Sequence, residues 1–116
     1  MSDEIDDYTI DHDPAGQAFF LRDGDRQIGR IFYLPYGPDG KQRVLYHTGI
    51  DEEYGGRGLA GRLTAAALAE TVAEGLTIVP VCPYITAYLR KHPEYADRAT
   101  EVLPEHLAVV PEKYRP

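Results

Sequence analysis

Residues 43–75 read RVLYHTGIDEEYGGRGLAGRLTAAALAETVAEG and contain the change of pattern that decides the fold. The first part, residues 43–50, is rich in the β-branched and aromatic residues that favour strands. From residue 57 to residue 74 Leu and Ala dominate, and nothing interrupts a helix before Gly75 supplies a stop. The stretch therefore predicts a strand that passes through a glycine-rich turn into a long helix.

The sequence on either side extends this unit into one compact domain. Two upstream runs, residues 17–22 and 27–36, predict strands, because turn sequences follow both of them. Residues 76–81 predict a fourth strand, reached by a right-handed crossover, and residues 84–91 predict a short helix that ends before a proline. We expect an α/β (α+β) fold, with a three-stranded antiparallel meander, a crossover helix, a fourth strand and a short helix.

The central helix carries a broad apolar stripe along one side. At 100° per residue this stripe includes Leu59, Leu63 and Leu68, whereas Thr64 and Thr71 fall outside it. Such a helix is expected to lie across one face of the sheet, which leaves the other face bare. A one-sided sheet in so short a chain favours a monomer or a weak homodimer.

Length and charge indicate one domain with two tails. The chain has 116 residues, the usual size of a single domain. Six of its nineteen acidic residues precede Pro14 with no base among them, so residues 1–14 predict an acidic flexible tail, or a short edge strand at Tyr8-Thr9-Ile10. Residues 15–103 form the predicted domain, and the proline-punctuated residues 104–116 predict a tail that drapes over the body or frays.

Composition excludes several classes of function. Outside the acidic head, thirteen acids balance twelve bases, so no basic face is expected for nucleic acid. No apolar run reaches the roughly 20 residues of a membrane span, and the absence of a secretory signal favours the cytoplasm. One cysteine, Cys82, excludes an internal disulfide and a cysteine-rich metal site. The four histidines show no ligand spacing, so no metal centre is expected.

The glycine-rich turn at residues 53–61 predicts a phosphate site, because free N–H groups and the positive dipole end of the helix attract anions. The plainer interpretation is that the glycines only allow the chain to turn from the strand into the helix. A P-loop is excluded since no Gly-Lys-Ser/Thr follows, and the dinucleotide pattern at residues 56–61 lacks its acidic partner. An acyl-CoA site remains, with the pyrophosphate at the helix and the pantetheine arm between two strands.

Several segments together carry a family resemblance. Residues 50–60 resemble the acetyl-CoA motif R/Q-x-x-G-x-G/A of the GCN5-related N-acetyltransferases. Joined to His47-Thr48, to Cys82-Pro83-Tyr84 and to residues 92–95, they resemble the small single-domain members of that family. The resemblance covers residues 17–96. It implies transfer of an acetyl group from acetyl-CoA to a small-molecule amine or a protein amine.

The same resemblance implies a cofactor site. The loop amides would hold the pyrophosphate, the end of the preceding strand would pair with the pantetheine arm, and the Ile50 N–H would polarise the thioester carbonyl. The implied cofactor-binding residues are Thr48, Ile50, Gly55, Gly56, Arg57, Gly58, Leu59 and Ala60. Gly55 stands where the family motif begins with Arg or Gln, so Arg57 or Arg62 would have to compensate.

The catalytic candidates are two tyrosines, one cysteine and two histidines. Tyr88 is the first choice for the proton donor to the departing thiolate and Tyr84 the second, although tyrosines four apart on a helix also serve packing. Cys82 would accept the acetyl group, line the thioester pocket, or be an inert hydrophobic residue.

The candidate bases are His47 and His92. Strand alternation predicts that His47 faces away from both Tyr46 and Thr48, so only one of these sets is expected to face a ligand. Two other functions stay open from the sequence: a non-catalytic acyl-CoA-binding or sensing module, and an interaction domain without a cofactor.

Overall fold

The computed structural model describes residues 8–115 and shows a five-stranded sheet in the order β1-β2-β3-β4-β5. Strands β1 to β4 are antiparallel, and β5 runs parallel to β4. The mixed sheet with its crossover helix confirms the predicted fold class. The strands are β1 (Tyr8–Asp13), β2 (Ala18–Asp23), β3 (Arg26–Tyr36), β4 (Gln42–Ile50) and β5 (Thr77–Pro80).

Four helices and two single 3-10 turns accompany the sheet. The 3-10 turns are Glu52–Tyr54 and Glu112–Tyr114, and the helices are α1 (Leu59–Ala73), α2 (Pro83–Lys91), α3 (Pro93–Ala96) and α4 (Pro104–Val109). Helix α1 begins two residues later than predicted, because Gly58 adopts a left-handed conformation with φ 72°. None of the helices within residues 8–115 has the length and apolar character needed to cross a bilayer.

Part of the acidic segment predicted as a flexible tail is a strand. Tyr8–Asp13 form strand β1, which pairs with β2 along its whole length, so the edge-strand alternative is the correct one. The strand is held because Ile10 packs against the core and Asp11 accepts a hydrogen bond from Arg22 Nε at 2.6 Å. The remaining part of the predicted tail, residues 1–7, lies outside the described residues.

The C-terminal residues pack on the body and do not fray. Helix α4 is anchored by His106, which accepts a hydrogen bond from the Leu103 N–H at 3.0 Å and bonds to Gln42 Oε1 at 2.8 Å. Val110 is buried against Val44 of β4. The predicted tail 104–116 is therefore part of the fold as far as residue 115.

The sheet has two covered faces. On the helix face, α1 and α2 pack over the main core, whose largest buried members are Phe19, Leu21, Ile28, Ile31, Leu45, Leu63, Leu68, Ile78 and Ile85. On the opposite face, the C-terminal segment covers a smaller cluster of Val44, Val79, Val81 and Val110. The expectation of a one-sided sheet was wrong, so a bare sheet face no longer supports association of two copies. The oligomeric state stays a prediction.

The buried stripe of α1 includes both threonines that were expected outside it. Thr71 is buried because its hydroxyl donates to the Ala67 carbonyl at 2.8 Å and accepts from the Arg43 guanidinium at 3.2 Å. Arg43 is only 5% exposed and makes two hydrogen bonds of 3.1 Å to Glu74, over the ring of Tyr33. A buried arginine thus ties β4 to the end of α1.

We expect Arg43→Ala to lower the free energy of unfolding by about 2 kcal/mol or more, because Thr71 and Glu74 lose their cationic partner inside the protein. Urea unfolding followed by circular dichroism measures this loss. The matched control is Arg22→Ala, whose exposed pair with Asp11 should contribute less than about 1 kcal/mol. Equal effects of the two substitutions would contradict a structural role for Arg43.

Candidate functional site

The site begins where β4 and β5 part. Their parallel pairing runs only from Gln42 opposite Thr77 to Leu45 opposite Pro80, and it ends with the Cys82 N–H donating to the Leu45 carbonyl at 3.0 Å. Beyond this point the chain turns into α2, and β4 continues to Ile50 with no strand on that side among residues 8–115. An open gap therefore lies beside the second half of β4.

The backbone of β4 presents two amides to this gap. The Asp51 N–H donates to the Ile28 carbonyl of β3 at 2.7 Å. Because hydrogen-bonded and non-bonded pairs alternate in antiparallel sheets, Gly49 also bonds toward β3, and the N–H groups of Thr48 and Ile50 face the gap. This is the edge at which the sequence predicts the pantetheine arm.

The glycine-rich loop leaves the start of α1 uncapped. Gly58, the N-cap residue, makes no side-chain cap hydrogen bond, and the first helical bond runs from the Arg62 N–H to the Gly58 carbonyl at 3.2 Å. Within the described part of the chain, nothing accepts a hydrogen bond from the N–H groups of residues 56–61. These amides and the helix dipole are available to an anion.

A cavity of about 150 Å³ joins the uncapped helix to the end of β4. It is lined by Ile50, Tyr54, Gly55, Gly56, Gly58, Leu59, Ala60, Gly61 and Tyr84. Six of the eight predicted cofactor residues are among them, while Thr48 and Arg57 are not. Sequence reasoning did not select Tyr54 or Gly61, although both lie within the glycine-rich motif.

Tyr54 fastens the loop to the neighbouring strands. Its hydroxyl donates to Asp23 Oδ2 at 2.6 Å, and this hydrogen bond raises the pKa of the Tyr54 phenol, so the phenol stays protonated. Glu53 forms an ion pair with Arg26 beside it. Arg57 donates to the Tyr8 hydroxyl at 3.0 Å and lies over the Tyr54 ring, 5.0 Å from its centroid. The loop is therefore held in place before any ligand binds.

The inner end of the gap is closed by a contact between two predicted site residues. The thiol of Cys82 donates to Thr48 Oγ1 at 3.4 Å, and Cys82 is only 6% exposed. Both side chains lie on the helix face, because Cys82 belongs to the main core cluster. Cys82 is also the N-cap residue of α2, so it lies where the strand ends and the helix begins.

The two tyrosines of α2 occupy different surroundings. Tyr84 lines the cavity and is 40% exposed, and its hydroxyl lies 3.6 Å from where a Cβ on Gly61 would stand. Tyr88 instead stacks on His92, with ring centroids 3.9 Å apart. Burial raises the pKa of Tyr88 above 10.0, so its phenol remains protonated at neutral pH. Tyr88, the first-choice donor, is not among the residues that line the cavity.

A β-bulge places His47 on the same face of the sheet as Tyr46, which differs from the predicted orientation. The register with β3 shifts between Phe32 and Tyr33, which leaves Tyr46 unpaired and turns both Tyr46 and His47 to the opposite face. Thr48 faces the helix side, so the prediction that His47 faces away from Thr48 is confirmed. The prediction that His47 faces away from Tyr46 was wrong because the sequence does not reveal the extra residue.

The imidazole of His47 lies beside the end of β4. A Cβ on Gly49 would be 3.2 Å from His47 Nε2 and 3.1 Å from Arg30 Nη1, so the glycine makes room for both groups. Burial lowers the pKa of His47 from its ordinary 6.5, and the charges of Arg30 and Lys113 lower it further. The imidazole is therefore neutral at physiological pH and can accept a proton.

Histidine and carboxylate groups also meet near the other end of α1. Ligand atoms of His12, Glu70 and Glu74 lie within 4.8 Å of one another, a grouping that the sequence concealed because His12 lies on β1. Glu74 is already bonded twice to Arg43, and His12 Nε2 is bonded to the Tyr33 hydroxyl at 2.5 Å. These contacts explain the cluster as part of the structural network around Arg43.

Comparison with known proteins agrees with this geometry. Residues 18–98 match the family model described as GCN5-related N-acetyl-transferase. Protein NATD1 of Homo sapiens is 36% identical over 95 residues, covering 77% of this chain and 80% of the relative. Protein NATD1 of Danio rerio is 32% identical over 92 residues, covering 77% of this chain and 82% of the relative.

A solved structure shares the fold. The solution structure of a proposed GCN5-like N-acetyltransferase from Staphylococcus aureus superposes with a TM-score of 0.62 at 22% identity, and the match covers 88% of this chain and 97% of that one. The uncapped helix, the parted strands and the match over residues 18–98 lead to one assignment. The chain belongs to the GCN5-related N-acetyltransferase family.

Proposed function

We propose that the protein transfers the acetyl group of acetyl-CoA to an amine. The observation that carries this proposal is the uncapped start of α1 opening onto the cavity that runs to the parted end of β4. Acetyl-CoA binding requires an anion site for the diphosphate and a free strand edge for the thioester-bearing arm, and the two must lie close together. Among residues 8–115, no group accepts a hydrogen bond from the N–H groups of residues 56–61, so these groups are available to bind a diphosphate.

The residues present fit acetyl-CoA in two ways. The N–H groups of residues 56–60 would bind the pyrophosphate, with the helix dipole adding to the attraction. The N–H groups of Thr48 and Ile50 would bond to the pantetheine arm and to the thioester carbonyl. Hydrogen bonding to that carbonyl stabilises the negative charge that develops on its oxygen during transfer. Gly55 contributes no side chain here, so binding rests mainly on the backbone.

Proton transfer is assigned to two side chains on either side of the gap. His47, which is neutral and lies beside Gly49, would take the proton from the incoming amine. Tyr84, which lines the cavity, would donate a proton to the departing CoA thiolate. Tyr88 remains the alternative donor. Cys82 is almost fully buried against Thr48, so we propose that it shapes the thioester pocket and does not carry the acetyl group.

A carboxylate at the first turn of α1 should weaken cofactor binding without lowering the stability of the helix. We expect Ala60→Glu to weaken CoA binding by about tenfold or more, because the new charge repels the pyrophosphate, while the melting temperature stays equal or rises slightly. Isothermal titration with CoA and thermal unfolding measure the two effects.

The matched control is Ala69→Glu, which adds the same charge at an exposed position of the same helix. It should leave CoA affinity unchanged within about twofold if the charge acts only near the loop. Equal weakening by both substitutions would show that net charge, and not the helix start, determines binding. No CoA binding by the unaltered protein at millimolar concentration would remove the proposal.

We expect His47→Gln to lower turnover by about 10²-fold to 10⁴-fold without changing CoA affinity, because it removes the base and leaves the cofactor amides in place. Release of free thiol from acetyl-CoA in the presence of a panel of primary amines measures turnover. His92→Gln is the control, since His92 stacks on Tyr88 and is not on the cavity wall.

The assignment of His47 as the base predicts how the turnover rate depends on pH. His47 must be neutral to accept a proton, so the rate should fall as the pH drops through its pKa, with a midpoint below 6.5. Arg30→Gln removes a charge that lowers this pKa and should move the midpoint to higher pH. An unchanged midpoint in Arg30→Gln, or an acid limb that persists in His47→Gln, would exclude His47 as the base.

Removing the hydroxyl of Tyr84 or of Tyr88 should show which of the two tyrosines donates the proton to the thiolate. We expect Tyr84→Phe to lower turnover by about 10-fold to 100-fold and Tyr88→Phe to have a smaller effect, because only Tyr84 borders the cavity. Turnover and CoA affinity are measured side by side. The reverse order would assign the donor to Tyr88, and full activity in both variants would show that solvent protonates the thiolate. CoA binding without thiol release by the unaltered protein would favour a non-catalytic acyl-CoA-binding module.

A further inference from the structure

Four rings gather on the opposite face of the sheet, next to the end of β4. Phe32, Tyr46 and His47 belong to the sheet, and Tyr114 reaches them from the C-terminal 3-10 turn. The Tyr114 centroid lies 4.5 Å from that of His47, 5.5 Å from Tyr46 and 5.9 Å from Phe32. We call these four residues the ring cluster. Such faces attract ammonium groups through cation–π interaction.

One ammonium group of the chain already lies on this cluster. The Nζ atom of Lys113 is 5.3 Å from the centroid of the Tyr114 ring. Its charge also reaches His47, whose pKa it helps to lower. The Lys113 side chain is exposed, so it is reachable from solvent.

The ring cluster adjoins the position expected for the thioester carbonyl. His47 Nε2 lies beside Gly49, and the next residue is Ile50, whose N–H faces the gap. Successive strand residues are only about 3.3 Å apart. An amine on the cluster therefore approaches the end of β4 from one face, while α1 and its uncapped amides lie on the other.

We propose that Lys113 is an acetylation site of this protein, modified by the chain's own site in cis or by a second copy. This inference rests on the proposed function. The Lys113 ammonium gives a proton to His47, and the neutral amine attacks the thioester carbon. A C–N bond forms and the C–S bond breaks; the attacking nitrogen loses its second proton, and the leaving thiolate gains a proton to give CoA. His47 returns its proton to solvent, so acetyl-CoA and the lysine ammonium yield acetyl-lysine, CoA and one proton.

Acetylation would change the site that performs it. Acetyl-lysine carries no charge, so its attraction to Tyr114 and its effect on His47 are both lost.

The chain has three lysines, which makes the assignment simple to test. Lys41 follows the β3–β4 turn and Lys91 ends α2, while Lys113 lies on the ring cluster. The full chain is incubated with acetyl-CoA, and the early rate of acetylation at each lysine is measured by peptide mass spectrometry. We expect Lys113 to react at least about tenfold faster than Lys41 and Lys91, as expected of a base-assisted reaction.

Two variants and one condition separate site-directed transfer from chemical acetylation. His47→Gln should reduce the Lys113 rate to that of the other lysines, and Lys91→Arg should leave it unchanged. In urea, where the site is lost, the three lysines should react alike. Equal rates at all three lysines in the folded protein would overturn the inference, as would an unchanged Lys113 rate in His47→Gln.

The proposed function is measured in parallel so that the two can fail separately. CoA titration and thiol release with external amines are performed on the same protein. If CoA binds and amines release thiol while Lys113 gains no excess acetyl group, the inference fails and the proposed function stands. If CoA does not bind, the proposed function fails and the inference fails with it.

Discussion

The early end of the β4–β5 ladder is the constraint on which the site depends. Pairing stops at Leu45 and Pro80, and the Cys82 N–H makes one further backbone hydrogen bond to β4, at Leu45. Had the ladder continued to Ile50, the amides of Thr48 and Ile50 would be satisfied by a neighbouring strand. Since Pro83 starts α2 directly after Cys82, the chain leaves the sheet and these amides remain available. The unpaired edge is thus a result of the path that the chain takes at Cys82 and Pro83.

The bulge at Tyr46 divides the site between the two faces of the sheet. It places His47 and Tyr46 on the same side, whereas the next residue, Thr48, faces Cys82 and the helices. The proposed proton acceptor and the proposed thioester site therefore lie on opposite sides of one strand and are close together through its backbone. Gly49 permits this closeness, since any side chain there would meet the imidazole.

Local patterns in the sequence were enough to predict strands β2 to β5, the loop and α1. The glycine-rich motif also identified most of the cavity wall, because its amides come from consecutive residues. Strand β1 was obscured by its acidic composition, although Ile10 packs on the core. The bulge was not predictable, since it depends on register with a partner strand. The contact of Tyr114 with His47 was likewise missed because it joins residues far apart in the chain.

The C-terminal segment has a consequence for how such a protein diversifies. The family match ends at residue 98, whereas Tyr114 and Lys113 lie beyond it and contact or influence His47. The proposed cofactor site is thus formed by the portion of the chain that matches the family, and one wall of the proposed acceptor side by the segment beyond it. Substitution or exchange of that segment offers a route to new acceptor selectivity with little disturbance of the proposed donor site.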